Sequence, residues 1–475
     1  MNRDSFYPAI ACFPLLLMLA GCAPMHETRQ VLSQQTPAAQ VDTVLPTALK
    51  NGWPDSQWWL EYHDNQLTSL INNALQSAPD MQVAEQRIQL AEAQAKAIAT
   101  QDGPQLDFSA DMERQKMSAE GLMGPFALND PAAGTTGPWY TNGTFGLTAG
   151  WHLDIWGKKV TARLGTVKAR AAEREQTRQL LAGSVARLYW EWQTQAALNT
   201  VLQQIEKEQN TIIATDRQLY QNGITSSVEG VETDINASKT RQQLNDVAGK
   251  MKIIEARLNA LTNHQTKSLK LKPVALPKVA SQLPDELGYS LLARRADLQA
   301  AHWYVESSLS TIDAAKAAFY PDINLMAFLQ QDALHLSDLF RHSAQQMGVT
   351  AGLTLPIFDS GRLNANLDIA KAESNLSIAS YNKAVVEAVN DVARAASQVQ
   401  TLAEKNQHQA QIERDALRVV GLAQARFNAG LIAGSRVSEA RIPALRERAN
   451  GLLLQGQWLD ASIQLTGALG GGYKR

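Results

Sequence analysis

The sequence predicts an α+β chain that can complete its fold only by oligomerising. Three observations predict it. The folded part is written twice, each copy holds two alternating stretches of membrane-strand length, and each copy carries a helix too long for a compact domain. The 475 residues are 45% hydrophobic and 19% charged, a balance that suits a folded chain and not a disordered one. With 44 Lys+Arg against 46 Asp+Glu there is no basic excess to neutralise polyphosphate, so nucleic acid is not an expected partner. The only cysteines are Cys12 and Cys22, which leaves the body neither a disulfide nor a zinc cluster.

Residues 1–21 read as a lipoprotein signal peptide. Met1-Asn2-Arg3 precedes an apolar run from Ile10 to Ala20, too short to cross a bilayer as a helix. The run ends in Leu19-Ala20-Gly21-Cys22, which looks like a bacterial lipobox, with Cys22 as the acylated residue. More than one acyl chain on Cys22 would make a firm anchor. Ala23 follows instead of the Asp that commonly retains lipoproteins in the inner membrane, so the expected address is the outer membrane. Residues 22–52 read as a flexible polar linker, and the folded part opens at Trp53-Pro54 and Trp58-Trp59. Beyond the signal no stretch reaches the length of a transmembrane helix, so any further crossing must be made by strands in a closed barrel.

The first copy spans 53–270. A helical pattern through Leu67, Leu70, Ile71, Leu75, Val83, Ile88 and Ala91 stops at Gly103-Pro104. Alternation then predicts strands at about 105–117 and 143–156, separated by a Gly-rich polar loop, and Gly157-Lys158-Lys159 opens a helix reaching Asn222. A linker, 271–286, leads to the second copy, 287–475. There a helix from Leu287 to Ala318 precedes strands at about 321–331 and 346–358, and a helix after Gly361-Arg362 runs to Asn428. As one helix, Val160 to Asn222 would extend roughly 90 Å at 1.5 Å per residue. Heptads run through Leu244, Val247, Met251, Ile254, Leu258 and Leu261, and again through Val385, Val389, Val392, Ala396, Val399 and Ala403, which is coiled-coil seam spacing.

Four strands cannot close a barrel, because small barrels need about eight; three copies would supply twelve. Leu147, Trp151, Leu353 and Leu355 would then face lipid, and Thr148, His152, Asp154 and Thr354 the lumen. Trp139, Tyr140, Trp151, Trp156, Tyr320 and Phe358 fall near strand ends, where interfacial belts sit. A soluble β-sandwich uses the same alternation and stays open as an alternative.

Several segments carry a family likeness: Trp58-Trp59, Leu153-Asp154-Ile155-Trp156-Gly157, Leu291 to Leu298, Phe319-Tyr320-Pro321, Leu355 to Arg362, and Leu469-Gly470-Gly471-Gly472-Tyr473. In this order they resemble the outer membrane efflux factor family, TolC- and OprM-like, in its lipoprotein branch. The resemblance covers nearly the whole mature chain. It implies a homotrimer in which a twelve-strand outer membrane barrel continues into a periplasmic helical coiled-coil barrel. It also implies docking to a periplasmic membrane-fusion adaptor and an inner-membrane efflux pump that supplies the energy. Leu219 to Ile224 and Arg426 to Leu431 fall at matching points of the copies, and a glycine in each permits the backbone that ends one helix before the next. The resemblance makes these the periplasmic tips, with Tyr220, Gly223, Ile224, Phe427, Gly430 and Leu431 as adaptor-contact positions. It places Glu232 and Glu439 beside the periplasmic aperture, where six carboxylates from three chains would favour cations and could pair with Arg436 or Arg441. A solvated acid on a helix surface is the alternative reading. Arg436 stands where the family often has an acid, and the Gly157-Lys158-Lys159-Val160 junction is about three residues shorter than the family usually has.

No catalytic constellation is expected. The eight histidines, at 26, 63, 152, 264, 302, 335, 342 and 408, lack paired metal-ligand spacing, and Gly470-Gly471-Gly472 lacks the Lys-Ser/Thr and helix of a phosphate loop. No cofactor and no metal are expected. Two functions remain open: a passive exit duct for drugs and other toxic small molecules, or a periplasm-spanning lipoprotein scaffold without a conducting pore.

Overall fold

The computed structural model describes residues 25, 30–35, 52–101, 103–116, 139–153, 159–224, 226–263, 269–278 and 288–473. Cys22, Asp154, Trp156 and the Gly157-Lys158 junction lie outside them. The helices are α1 (Asn65–Ser77), α2 (Pro79–Gln101), α3 (Lys159–Gln221), α4 (Ser227–Leu261), α5 (Gly288–Arg294), α6 (Ala296–Ala317), α7 (Arg362–Asn428) and α8 (Gly434–Ala468). The strands are β1 (Gln105–Lys116), β2 (Trp139–Leu153), β3 (Asp322–Ala333) and β4 (Gln345–Thr354). Element order thus repeats, with α3 of 63 residues matched by α7 of 67.

The chain divides into two units. One takes Leu90–Val167 and Tyr304–Ile378 with the residues up to Leu32; the other takes Ser33–Gln89, Lys168–Trp303 and Ala379–Arg475. The first unit holds the sheet. Its strands pair antiparallel in the order β1-β2-β3-β4, with Phe108 opposite Leu147, Leu147 opposite Leu329, and Leu329 opposite Met347. Beneath it, Ile312 and Phe319 from the α6 side pack on Leu363, Leu367 and Ala370 of α7.

The second unit is helical. Trp58, Trp59, Leu67 and Ile71 pack against Leu181, Val185, Tyr189 and Trp190 of α3, Ile254 and Leu258 of α4, and Leu459 and Ile463 of α8. Asp64 starts α1 by accepting from the amides of Gln66 (2.7 Å) and Leu67 (3.0 Å), the N-cap role that short acidic side chains fill best. Its other oxygen accepts from the buried Tyr189 hydroxyl at 2.7 Å.

Several boundaries differ from the sequence expectation. The first helix breaks at Ala78-Pro79 into α1 and α2, and the run expected over 287–318 divides at Arg295 into α5 and α6. β2 starts at Trp139 instead of 143, because its first residues continue the ladder to Lys116. β4 stops at Thr354, and Pro356, with no N–H to donate, cannot extend it. Leu355, expected on the lipid face, is therefore beyond the strand. The α7 seam runs through Tyr381, Val385, Ala388, Val392, Ala395, Ala396, Val399 and Leu402; Val385, Val392, Ala396 and Val399 fall as expected, and Ala388 and Leu402 stand one position before the expected Val389 and Ala403. Within the N-terminal linker, residues 30–35 are hydrogen-bonded to α7. Asn375 accepts from the amide of Leu32 at 2.8 Å and donates to the carbonyl of Gln30 at 3.0 Å, and Asn382 does the same for Gln35 and Ser33. Likewise Gln66 and Gln193 bond the backbone at Lys272 and Val274, holding an inter-repeat segment that has no ladder of its own.

Candidate functional site

Two features of the fold offer a function: the faces and edges of the sheet, and the two interhelical turns.

On the sheet, pairing register sorts side chains onto faces because successive residues point to opposite sides. One face carries Leu106, Phe108, Ala110 and Met112 of β1; Phe145, Leu147, Ala149 and Trp151 of β2; Ile323, Leu325, Ala327 and Leu329 of β3; and Met347, Val349, Ala351 and Leu353 of β4. Much of it is bare: Phe108 is 67% exposed, Val349 80% and Leu353 65%. The opposite face carries Asp107, Thr148, His152, Asn324, Gln330, Thr350 and Thr354, with His152 Nε2 lying 3.2 Å from Asp322. Both expected sets thus fall on opposite faces, apart from Leu355 and the undescribed Asp154. The polar face also holds Met326 and Phe328, which sequence alternation misses because β3 is apolar at both parities. Four successive residues of β3 on this face sit opposite a glycine: Asn324 by Gly352, Met326 by Gly150, Phe328 by Gly348 and Gln330 by Gly146. At Gly348 a Cβ would come within 2.8 Å of the Phe328 ring. Strands β1 and β4 are the sheet's two edges, each without a strand partner on its outer side among the described residues.

The two interhelical turns share one geometry. Gly223 (φ 70°) and Gly430 (φ 71°) are left-handed. Gly223 donates to the Tyr220 carbonyl at 3.0 Å and Ile224 to that of Leu219 at 2.9 Å; Gly430 donates to Phe427 at 2.9 Å and Leu431 to Arg426 at 2.9 Å. Both are Schellman closures, in which a glycine lets two orphan carbonyls of the last turn find donors. Each presents uncovered apolar side chains: Tyr220 and Ile224 on one turn, Phe427 and Leu431 on the other.

Beyond the turns the copies differ. Glu439 pairs with Arg436 at 2.7 Å. Arg441 turns instead to Glu208 of α3 (3.4 Å) and Gln424 of α7 (3.2 Å). Glu232 is exposed, while its neighbours bridge back to α3, Thr233 to Asp216 and Asp234 to Arg217. Of the two acids, Glu439 has an arginine partner, and among the described residues no ion pair involves Glu232.

Other motif residues prove to be joints. Arg295 (13% exposed side chain) grips Asp297 through two bonds of 2.7 and 3.0 Å and donates to the Ala468 carbonyl at the end of α8. Asp359 caps α7 by accepting from Gly361 and Leu363. Gly470 and Gly471 close the last turn of α8 onto Gly467 and Thr466. Among the described residues no His/Cys/Asp/Glu cluster suits a metal ion, and no helix is long and apolar enough to cross a membrane.

A family model described as "Outer membrane efflux protein" matches the chain twice, over residues 70–264 and 287–471. The multidrug resistance outer membrane protein MdtQ of Escherichia coli O6:H1 is 98% identical over 478 positions, spanning 100% of both chains. At least three positions of that alignment have no residue in this 475-residue chain. The multidrug resistance outer membrane protein MdtP of Shigella flexneri is 36% identical, covering 96% of this chain and 94% of its own. Among solved structures, the Campylobacter jejuni CmeC outer membrane channel superposes with a TM-score of 0.80 at 18% identity, over 95% of this chain and 96% of that one. The doubled match, a sheet with one bare apolar face and paired helical turns agree, and the chain belongs to the outer membrane efflux protein family.

Proposed function

We propose that this chain is the outer membrane duct of a tripartite efflux system. Three copies close a twelve-strand barrel through which drugs and other toxic small molecules leave, driven by an inner-membrane pump acting through a periplasmic adaptor. The observation that carries the reading is the four-stranded sheet with two unpaired edges and one continuous apolar face. β1 and β4 run in opposite directions, so β4 of one copy meets β1 of the next antiparallel and every edge is removed on closure. Two copies would give eight strands, whose interior side chains fill; twelve leave a lumen. Trp139 and Trp151 share the apolar face of β2. Their separation is roughly 40 Å along the strand at about 3.3 Å per residue, near 30 Å after a tilt of about 40°, the spacing of two interfacial girdles.

Acylated Cys22 holds each copy to the membrane. The apolar tips at Tyr220, Ile224, Phe427 and Leu431 meet the adaptor. Glu232 and Glu439 from three chains ring the periplasmic opening with carboxylates, which favours cations. The chain performs no chemistry of its own. Purified protein in planar bilayers is expected to conduct as a heat-modifiable trimer, and to restore drug and dye tolerance in a strain stripped of other exit ducts. A monomer released by removing the lipid anchor, with no conductance and unchanged susceptibility, would refute the duct and leave the scaffold reading.

A further inference from the structure

The β3–β4 loop, residues 334–344, folds back onto the sheet instead of standing clear of it. Three backbone bonds shape it: Asp338 to the His335 carbonyl, Arg341 to Asp338 and Ala344 to Arg341. Leu339 is only 7% exposed. Its methyl occupies the space that a side chain at Gly143 of β2 would fill, 2.8 Å from the Cβ position. One pleat further along, the rings of Phe340 and Phe145 lie 5.6 Å apart. Gly143 and Phe145 share parity with Leu147 and Trp151, so the loop lies on the apolar face and not over the polar one. It leans across the sheet away from the β4 edge, where the barrel reading puts the next copy. Leu336, whose methyl also comes within 3.3 Å of the Gly143 Cβ position, and Phe340 nevertheless stay 54% and 84% exposed, beside the exposed Arg341 and His342.

We propose that this loop is a lipid-contacting wedge: Leu336 and Phe340 enter the hydrocarbon boundary of the outer leaflet, extending the apolar band at its loop end. The occupant is lipid because Leu339 and Phe340 lie against Gly143 and Phe145 on the bare face of β2, at the level where Gln331 and Gln345 interrupt the apolar row on β3 and β4, and an aromatic flanked by the Asp338-paired Arg341 suits the headgroup boundary. The inference rests on the barrel reading above, and its test separates the two.

Cys12 and Cys22 are the only native cysteines, so the parent chain sets the labelling background. The full-length protein carrying Phe340→Cys, Leu336→Cys, Ser337→Cys or Val349→Cys is labelled with an environment-sensitive fluorophore. Each is reconstituted in phosphatidylethanolamine–phosphatidylglycerol vesicles containing a shallow nitroxide lipid. Labels at 340, 336 and 349 are expected to lose several-fold more emission to the nitroxide than one at 337, with the reverse order for aqueous iodide. If 349 is quenched by lipid while 340 and 336 behave like 337, or are shielded from both quenchers by another copy, the wedge is overturned and the barrel stands. If 349 itself follows iodide, the barrel reading has failed.

Discussion

Tyr189 joins the cap of α1 to the core. Burial, and then the Asp64 carboxylate that accepts from its hydroxyl, push its pKa well above the ordinary tyrosine value; burial raises Tyr62 and Tyr381 in the same direction. A tyrosine held neutral in the folded state contributes stability that is intact below its unfolded pKa of 10.0 and lost as pH rises beyond it. Alkaline titration followed by helical signal should therefore show unfolding beginning above that value, and Tyr189→Phe should flatten the response. That variant also loses about 1 kcal/mol at neutral pH from the missing hydrogen bond. Arg295→Ala, which strips Asp297 and the end of α8 of their donor, is expected to cost about 2 kcal/mol in chemical denaturation. Under the proposed carboxylate ring, Arg436→Ala frees Glu439 and should raise the cation-to-anion permeability ratio, whereas Glu232→Gln with Glu439→Gln should lower it, read as reversal potentials under a salt gradient. The residue types at these positions are visible in the sequence, but their pairing is not. The link from Asp64 to Tyr189 and that from Gln66 to Lys272 span 125 and 206 positions, beyond the reach of any local pattern.

Among elements, the strands were legible because a period of two distinguishes their faces over ten or more residues. Their ends were not, since β2 begins where a partner strand extends it and β4 ends where proline removes a donor. The seam of α7 was legible at Val385, Val392, Ala396 and Val399 but read one position late at Val389, because valine outranks alanine on hydrophobicity whereas close helix packing takes the small Ala388. The turns were legible through their glycines alone. Gly430→Val should strain that turn by about 1–2 kcal/mol and reduce adaptor binding while leaving the barrel in place, as measured by pull-down of the assembled trimer with a periplasmic adaptor. On the sheet, Leu147→Arg places a charge on the apolar face and should cost about 2–4 kcal/mol of barrel stability. Thr148→Arg, one residue away on the polar face, should leave stability nearly unchanged and alter conductance.

For the whole molecule, repetition does most of the explaining. The same order of helix, hairpin and long helix appears twice, the family model matches twice, and the tips close with the same pair of bonds. Among the described residues the copies diverge beyond these turns, where Glu439 pairs with Arg436 and Asp234 of the first copy bridges instead to Arg217 of α3. A sequence shows that a four-stranded sheet is incomplete, since its edges and its apolar face have no use in water. The most direct test of what completes it is disulfide scanning between β1 and β4 in outer membranes, with one cysteine placed on each edge strand of the same chain. Shared-barrel closure predicts covalent dimers and trimers for pairs in register, and none for cysteines placed on β2. Crosslinks confined within single chains, or no crosslinks in any register, would contradict it.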